Sequence, residues 1–465
     1  MDKFIGREQE LKALRRELNA ARPSLVIVLG RRRVGKSRLL IEALKQHQAI
    51  YYQATKVTAS ESLQLFKAEV AKSLGADPLL DALSDWQGTL TYLARRTSAN
   101  NGITIVLDEF PYLCETDNSL PSVFQKFWDQ VRTSNTQVNM ILCGSKVSFM
   151  ESLLAEKNPL HGRQSLKLDV APLPYRDATQ FLSKWSKVDR LLAYGIFGGN
   201  PFYLSQCDPT ADLKTNVINL VLAKGAPFAD EPVNLLQAEL RDVARYATLL
   251  RAIADGCNDS GKIIGRVKEI SSASTLAPYV ERLTELRFIR IVRSMDASER
   301  ERDRRYYIDD PFLAFWYRFF LPNASAIAAG HVDQVYNHAI VPHLDDYMGD
   351  LFEWICRDHA RLYLQDTTSV AARVIGQIWA SDYDIDVAGA LLDGRMVYGE
   401  CKWWRGPVGE NILDHLVECA GKTGYGNAEK RRHYLLYSKS GFTPDLKKRA
   451  KADRNIHLFA LNTLL

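Results

Sequence analysis

Residues 30–37 have the sequence Gly30-Arg31-Arg32-Arg33-Val34-Gly35-Lys36-Ser37, with an apolar run before them (25–29) and a helical pattern after them (38–44). The two glycines let backbone N–H groups approach phosphate oxygens, and the following helix adds N–H groups at its N-terminus. At this spacing Lys36 reaches the β and γ phosphates and the Ser37 hydroxyl is placed for Mg²⁺. The pattern predicts a strand, a loop from Gly30 through Ser37 that binds ATP with Mg²⁺, and a helix whose first residue, Arg38, also lies at the nucleotide.

A second apolar run, residues 103–107, ends in the two carboxylates Asp108 and Glu109. Such a run predicts a strand buried on both faces of a sheet, and open α/β sheets bind ligands at the carboxyl ends of their strands. Asp108 is placed to hold Mg²⁺ through water, and Glu109 to polarise the attacking water. A third strand ends at Ser145, which is suited to sensing the γ-phosphate. An Asp and a Glu at the end of a strand are commonly just solvated. Because the chain also has the phosphate loop, we favour a catalytic role for Asp108 and Glu109.

Two further segments have two interpretations each. The turn Gly6-Arg7 either simply begins an N-terminal helix or contacts the adenine of a bound nucleotide. Arg163, in the segment 160–163, is either a solvated surface charge or an arginine finger that acts on the ATP of a neighbouring subunit. Pro201 lies in the turn 198–201, which interrupts a helical region sharply.

In this order the motifs resemble those of archaeal and bacterial AAA+-type P-loop ATPases related to the signal-transduction ATPases with numerous domains, and more distantly those of origin-recognition ATPases. The resemblance covers about residues 1–235. It implies that Gly6-Arg7 lies near the base, that Ser145 is the first sensor, and that Pro201 belongs to a helical lid over the nucleotide. It also implies a homo-oligomer, such as a ring, in which Arg163 acts in trans. No clear lid arginine follows Pro201, which departs from the family pattern.

The middle of the chain predicts a linker followed by a small helical domain. Residues 205–235 contain Pro, Asp, Ala and Gly breaks, and we place the linker there. Three helical patterns and two strands with a charged tip (298–304) between them predict a winged helix-turn-helix; they cover 241–254, 263–270, 274–286, 288–292 and 305–308. Residues 241–310 hold fourteen Lys/Arg and twelve Asp/Glu. This near balance leaves DNA binding and a role as rigid spacer about equally favoured.

The C-terminal third has the predicted order α-β-β-β-α-β, with Asp386 on the second strand and Glu400-x-Lys402 on the third. This order resembles the PD-(D/E)xK nuclease fold and the C-terminal domain commonly fused to this type of ATPase. The resemblance implies that Asp386 and Glu400 share one Mg²⁺, that Lys402 orients the water, and that Glu353 approaches from the preceding helix. Domains of this type can keep the fold without cleaving DNA.

The turn at Asp393-Gly394 decides whether those two carboxylates can meet. A two-residue loop pairs Asp386 with Cys401 and leaves Glu400 on the opposite face. A three-residue loop with Gly394 in the left-handed region pairs Asp386 directly with Glu400. The sequence permits both loops.

The composition sets broad limits. The 465 residues carry a net charge of +5, and their 46% hydrophobic and 25% charged content is ordinary for a soluble globular protein. No apolar run approaches the length of a membrane span, and the N-terminus lacks the apolar segment of a signal peptide, so we predict a cytoplasmic protein without a membrane partner. Seven dispersed cysteines favour reduced thiols.

We therefore predict an α/β protein with four parts: a P-loop AAA+ ATPase core (1–170), a helical lid and linker (171–235), a winged helix-turn-helix (236–325) and an α/β restriction-endonuclease-like domain (326–465). The first functional hypothesis is an ATPase that acts on DNA and carries a Mg²⁺-dependent nuclease domain. The alternative is a nucleotide switch that gates a protein-interaction or regulatory module without cleavage.

Overall fold

The computed structural model describes residues 4–96, 102–134, 136–297 and 304–465. It forms two compact units. The first contains the chain up to Leu173 together with residues 200–202, and the second contains residues 174–199 and the chain from Tyr203 onward. The charged tip predicted over 298–304 lies outside the described residues, apart from Arg304. Within the described ranges, no helix combines the length and the apolar character needed to cross a membrane.

The first unit is built on a five-stranded parallel sheet in the order β2-β3-β4-β1-β5. Its strands are β1 Ser24–Leu29, β2 Ala49–Gln53, β3 Ile103–Asp108, β4 Val138–Gly144 and β5 Leu166–Asp169. Every residue of β1, β3 and β4 is buried, because helices cover both faces. Since the strands are parallel, the phosphate loop, Asp108 and Ser145 all follow strand ends at one edge of the sheet.

Helices enclose this sheet in two apolar cores. Alternate side chains of β1 enter opposite cores: Leu25, Ile27 and Leu29 face one, and Val26 and Val28 face the other. Each such buried side chain contributes roughly 1.5–3 kcal/mol. The helices are α1 Glu8–Leu18, α2 Lys36–Leu44, α3 Ala59–Leu74, α4 Pro78–Asp81, α5 Trp86–Arg96, α6 Phe110–Thr116, α7 Leu120–Thr133 and α8 Val147–Ser152.

The second unit begins with short helices and continues into three helices and an antiparallel ribbon. The short helices are α9 Tyr175–Ala178, α10 Lys187–Phe197, α11 Pro201–Ser205 (whose first two residues belong to the first unit), α12 Leu213–Val217 and α13 Glu231–Glu239. The next elements are α14 Val243–Ala254, α15 Ser260–Arg266, α16 Ala273–Glu285, β6 Ile289–Val292 and β7 Arg305–Ile308. This is the element order predicted for a winged helix-turn-helix, with a second helix that ends four residues earlier than expected.

The linker predicted over 205–235 is wrong. The segment contains α12 and the start of α13, and side chains such as Val217 are fully buried. Two of the residues interpreted as breaks begin helices instead. Asp212 caps α12 by accepting a hydrogen bond from the backbone N–H of Thr215, and Pro232 lies in the first turn of α13, where its missing N–H costs nothing.

The C-terminal part of the second unit is a mixed sheet in the order β12-β11-β10-β9-β8. Strands β10, β11 and β12 are parallel, and β9 runs antiparallel to both β8 and β10. The strands are β8 Ala372–Trp379, β9 Asp384–Leu391, β10 Met396–Lys402, β11 Arg432–Ser438 and β12 Ile456–Ala460. The helices of this part are α17 Pro311–Phe315, α18 Ala324–Ala328, α19 Val332–Val335, α20 Val341–Tyr363, α21 Gln365–Thr368, α22 Glu410–Lys422, α23 Pro444–Ala452 and α24 Leu461–Leu464.

Helices α20 and α22 cover this second sheet. Helix α22 buries Leu413 and Leu416 in the core that also contains Tyr398 of β10. Helix α20 contacts β11 through His359, whose Nδ1 lies 3.2 Å from the hydroxyl of Tyr437. The carboxyl end of β10, with Glu400 and Lys402, therefore lies in a part of the unit that two packed helices hold in place.

Candidate functional site

The phosphate loop has the backbone that its glycines predict. Gly30 (φ 150°), Arg33 (φ 68°) and Gly35 (φ 92°) lie in the region that favours glycine. A Cβ atom at Gly30 would lie 2.3 Å from the carbonyl oxygen of Val170, so only glycine fits there. Gly35 is the residue before α2, and the loop therefore leads directly into a helix N-terminus.

Lys36 points back into this loop. Its Nζ donates hydrogen bonds to the carbonyl oxygens of Gly30 (2.8 Å) and Arg31 (2.9 Å). Burial lowers the pKa of Lys36, and the nearby Cys143 and the carboxylate of Glu109 act in the opposite direction. The ammonium group thus lies within the loop that the sequence predicts to bind phosphates.

Asp108 collects hydrogen bonds from three sides. Ser37 Oγ donates to Asp108 Oδ2 at 2.6 Å, and the backbone N–H of Glu109 donates to Oδ1 at 3.0 Å. The hydroxyl of Tyr51, on β2, also donates to Oδ2 at 2.6 Å. Burial, followed by the charge of Asp108, raises the pKa of Tyr51, which keeps this hydroxyl protonated. Sequence reasoning missed Tyr51; the only available signal was a polar tip near the carboxyl end of a strand.

Glu109 is held in an uncommon conformation beside Ser145. Its φ is 54°, a left-handed value that costs a non-glycine residue about 1–3 kcal/mol and that clusters at functional sites. Ser145 Oγ donates to Glu109 Oε2 at 2.8 Å, and the backbone N–H of Ser145 lies 3.4 Å from the same oxygen. The structure therefore brings together Lys36, Ser37 and the two carboxylates at one edge of the sheet.

Arg7 braces the loop through its side chain. The guanidinium donates to the carbonyl oxygens of Val34 (3.1 Å) and Ala171 and forms an ion pair with Glu10 (2.9 Å). A contact between the Gly6-Arg7 turn and adenine would therefore have to come from its backbone, which is left-handed at both residues.

Two arginines of the loop contact aromatic side chains, and the turn at 200–202 lies beside the loop. Arg32 donates to the hydroxyl of Tyr112 at 2.6 Å, and the guanidinium of Arg33 lies 4.6 Å from the ring centre of Phe202. A Cβ atom at Gly35 would lie 3.6 Å from Cγ of Pro201, so this turn borders the loop. Arg31, the remaining loop arginine, is half-buried, and Arg38, in the first turn of α2, is exposed.

Arg163 is engaged within its own subunit. Its Nε and Nη2 atoms donate to the two carboxylate oxygens of Asp129 at 2.9 and 3.0 Å, and Nη1 donates to the carbonyl oxygen of Pro159 at 2.9 Å. The hydrogen bonds to Asp129 raise the pKa of Arg163. Arg163 is thus not a freely solvated charge, and its role toward a neighbouring subunit stays a prediction.

The second candidate site lies on the hairpin β9–β10. Residues Leu391 and Arg395 close a three-residue loop, in which Gly394 has φ 87°. The register pairs Val387 with Gly399, so the next pair along the strands is Asp386 with Glu400. Of the two loops that the sequence permits, the structure has the one that places these carboxylates opposite each other.

The charges at this hairpin interact strongly. Burial raises the pKa of Asp386, and burial together with the charge of Asp386 raises the pKa of Glu400 to about 7. Asp386 Oδ2 accepts a hydrogen bond of 2.8 Å from the backbone N–H of Cys401, and Lys402 forms an ion pair with Glu400. Burial would lower the pKa of Lys402, but Glu400 and Asp386 outweigh it and raise the pKa. The two carboxylates thus form a buried pair, with Lys402 beside Glu400.

Glu353, which the sequence suggests as a further metal ligand, lies beside an arginine, and its role toward a metal stays a prediction. In the part of the chain that the structure describes, no three or more His, Cys, Asp or Glu residues are grouped so as to hold a metal ion. Glu353 instead pairs with Arg357 at 3.3 Å, and Arg357 donates to the carbonyl oxygen of Asp386 at 2.6 Å. Burial and the charge of Asp386 raise the pKa of Glu353 to about 8. The buried Arg357, which the sequence did not single out, therefore lies between Glu353 and Asp386 and contacts both residues.

Comparison with known families identifies an ATPase domain in the part of the chain that holds the first site. A family described as an ATPase domain predominantly from Archaea matches residues 4–207, and a family of archaeal and bacterial proteins of unknown function matches residues 316–411. The Walker-type ATPase paby2304 of Pyrococcus abyssi is similar in structure, with a TM-score of 0.51 and 21% identity, over 68% of this chain and 96% of that one. At this identity the likeness shows the fold alone. ORC2 of Aeropyrum pernix has a TM-score of 0.42 at 16% identity, over 72% of this chain and 96% of that one.

One relative matches most of the chain. The Uncharacterized protein MJECL04 of Methanocaldococcus jannaschii is 30% identical over 407 residues, which cover 86% of this chain and 87% of that protein. The residues that form the phosphate loop, Asp108 and Ser145 all lie within the segment that matches the archaeal ATPase domain. The chain therefore belongs to the same family as MJECL04, with a P-loop ATPase domain of the archaeal type in its N-terminal part.

Proposed function

We propose that this protein hydrolyses ATP and acts on DNA, and that its second unit carries a Mg²⁺-dependent site for phosphodiester cleavage. The observation that carries the first part is the geometry around Asp108. The Ser37 hydroxyl and the Asp108 carboxylate, both oxygen ligands suited to Mg²⁺, lie 2.6 Å apart, and Ser145 holds the adjacent Glu109. These are the parts that ATP hydrolysis needs: a metal site and a base for water, next to a phosphate loop.

Each residue has a role in this reaction. Lys36 exchanges the loop carbonyls for the β and γ phosphates and balances their charge. Glu109 takes the proton from the attacking water, and the hydroxyl of Ser145 orients the Glu109 carboxylate. Ser37 and Asp108 would hold Mg²⁺, which would supply positive charge to the phosphates when bound. The turn with Pro201 borders the loop and limits access of bulk water.

Substitution of Glu109 tests the assignment. Glu109→Gln should keep ATP binding but lower the hydrolysis rate about 100-fold or more, because only proton transfer is lost. Lys36→Ala should remove nucleotide binding itself. Glu115→Gln, an exposed acid on α6, is the matched control and should leave both properties unchanged. Hydrolysis at the wild-type rate in Glu109→Gln would mean that the catalytic base lies elsewhere.

The DNA-directed part rests on the pairing of Asp386 with Glu400. Asp386 and Glu400 form a buried carboxylate pair, and Mg²⁺ commonly binds through one or two carboxylates while keeping several waters. The metal would lower the pKa of a bound water. Lys402, already paired with Glu400, would orient that water toward the phosphate. The three helices and ribbon over 243–308 fit a winged helix that guides DNA toward this site.

Cleavage assays with single-stranded, double-stranded and branched DNA in Mg²⁺ or Mn²⁺ test this part. Asp386→Ala should eliminate cleavage and leave ATP hydrolysis unchanged, since Asp386 lies in the second unit. Asp393→Ala, at the exposed hairpin loop of the same strands, should cleave like the wild type. Cleavage that persists in Asp386→Ala would remove this pair from the active site.

A nucleotide switch without cleavage is the second candidate. Two observations favour it. Lys402 already pairs with Glu400, so a cation occupies one of the two carboxylates, and no group of three possible metal ligands occurs among the described residues. A slow ATPase that DNA does not stimulate, together with no cleavage in Mg²⁺ or Mn²⁺, would support the switch. Stimulation of hydrolysis by DNA would support the first function.

A further inference from the structure

Trp404 is a large aromatic side chain that the fold leaves in solvent. About half of its surface (48%) is exposed, and it lies on the segment 403–409 between β10 and α22. Its neighbour Trp403 is only 4% exposed. A single exposed apolar residue is ordinary by itself. This indole is of interest because it lies just beyond the end of the strand that carries Glu400 and Lys402.

The segment around Trp404 is firmly anchored. The indole N–H of Trp403 donates to Asp345 at 3.1 Å, and its ring packs against Phe352 with 5.2 Å between ring centres. Further along, Val408 and Phe442 form a parallel bridge, which ties the segment to the loop after β11. Because both ends are held, the backbone at Trp404 is ordered before a ligand binds, which lowers the entropy cost of binding.

Three basic residues lie beside this indole. Nζ of Lys402 lies 5.3 Å from the centre of the Trp404 ring, and Arg405, with 89% of its side chain exposed, follows directly. Lys439 lies 4.8 Å from the ring centre of Trp403, next to Ser440, whose hydroxyl donates to the carbonyl oxygen of Trp404. These three cations pair with only two carboxylates, Glu400 and Asp345, so the local excess of positive charge is complementary to a polyanion.

We infer that Trp404 is a stacking platform for an unpaired base of single-stranded nucleic acid, whose backbone passes Lys402. The inference rests on the proposed action on DNA, but not on cleavage. An indole has a flat face on which any base stacks, and neighbouring cations hold the phosphates. The bases of a duplex already cover one another's faces, so only a single strand, a frayed end or a branch offers a free base to Trp404.

The proximity of Lys402 connects this platform to the candidate cleavage site. Lys402 contacts both the ring of Trp404 and the carboxylate of Glu400. A nucleotide stacked on Trp404 therefore has its backbone close to the carboxylate pair. The preferred substrate is accordingly DNA with an unpaired segment.

The test is binding of fluorescein-labelled oligo-thymidylate, about 20 nucleotides long, to the full chain in EDTA, with fluorescence anisotropy as the readout. A closed hairpin duplex of similar length is the second probe. Trp404→Ala should weaken binding of the single strand roughly 5- to 150-fold, the range expected for one stacked base. Trp404→Phe should recover much of it. Leu392→Ala, an exposed apolar residue (65%) on another loop of the same sheet, is the matched control.

The outcomes separate the two proposals. If the wild type binds the single strand and Trp404→Ala binds it equally well, the platform is wrong while action on DNA stands; an unchanged affinity would point to a protein partner for the indole. Equal loss for strand and duplex would also overturn the platform. If the wild type binds neither probe, both proposals fail. An unchanged melting midpoint in Trp404→Ala establishes that a loss of binding is not a loss of folding.

Discussion

The hydroxyl of Tyr51 donates a 2.6 Å hydrogen bond to Asp108, at the same oxygen that accepts the Ser37 hydroxyl. Two hydroxyl groups therefore fix the rotamer of this carboxylate before any metal arrives. Tyr51 lies on β2, next to the strand that ends in Asp108. It is a positioning residue for the proposed metal site, because it acts through Asp108.

Tyr51→Phe removes one of these hydrogen bonds and keeps the ring. We expect the Mg²⁺ concentration for half-maximal ATP hydrolysis to rise severalfold, because a less fixed Asp108 holds the metal and its water less well; one hydrogen bond to a charged group contributes about 1.5–3 kcal/mol. The rate at saturating Mg²⁺ should change little. Tyr52→Phe, at the neighbouring residue whose ring packs against Phe66, is the control. Equal Mg²⁺ dependence in both variants would contradict the role of Tyr51.

Ser145→Ala removes the hydroxyl that holds Glu109. We expect the turnover rate to fall about tenfold while the ATP affinity stays near that of the wild type, because the base remains but loses its orientation. Steady-state kinetics and nucleotide titration measure the two quantities. Ser152→Ala, at an exposed serine of α8, should behave like the wild type. A weakened ATP affinity with unchanged turnover would instead assign Ser145 to binding.

Substitution of Arg163 and of its partner separates catalysis in trans from a structural ion pair. If Arg163 is a finger, Arg163→Ala should reduce turnover at least 10-fold with near-normal ATP affinity, whereas Asp129→Ala frees the arginine and should keep activity. If the ion pair only stabilises the fold, both variants should lose stability and activity alike. The rate per molecule should also rise with protein concentration as oligomers form. A monomer with a constant rate per molecule would exclude action in trans.

Metal binding at the second site should depend on pH. The pKa of Glu400 is raised from 4.5 to about 7, so the proton on Glu400 stabilises the folded state fully below pH 4.5, and that contribution is lost as the pH rises through about 7. A divalent cation replaces this proton. The melting midpoint should therefore respond little to Mn²⁺ at low pH and increase with Mn²⁺ at pH 8. Asp386→Asn should abolish the response, and Asp393→Asn should not. An equal response to Mn²⁺ at both pH values would refute a site built on Glu400.

Most of the first unit could be predicted from sequence because its signals are local. The apolar runs of β1, β3 and β4 are continuous, which indicates strands buried on both faces, and the glycine spacing fixes the loop between β1 and α2. The linker over 205–235 was predicted wrongly for a related reason. Asp212 and Pro232 occur in turns and in helix starts alike, and only the burial of the side chains that follow distinguishes the two.

The partners of the site residues could not be predicted in the same way. Tyr51 meets Asp108, and Asp129 meets Arg163, across 57 and 34 residues of chain, so nothing local indicates either pair. At Gly394 the sequence permits two hairpin loops, whose lengths differ by one residue. A left-handed glycine satisfies both, and the packing of β9 and β10 selects between them.

Arg7 has a consequence for how the protein is made. Its guanidinium donates to the carbonyl of Ala171, 164 residues further along the chain, as well as to the phosphate loop at Val34. A ribosome adds about 5–20 residues per second, so the start of the chain waits roughly 10–30 s for this partner to be synthesised. A nascent chain that stops short of residue 171 lacks one of the braces of its phosphate loop. ATP is therefore expected to load only after the whole first sheet has emerged.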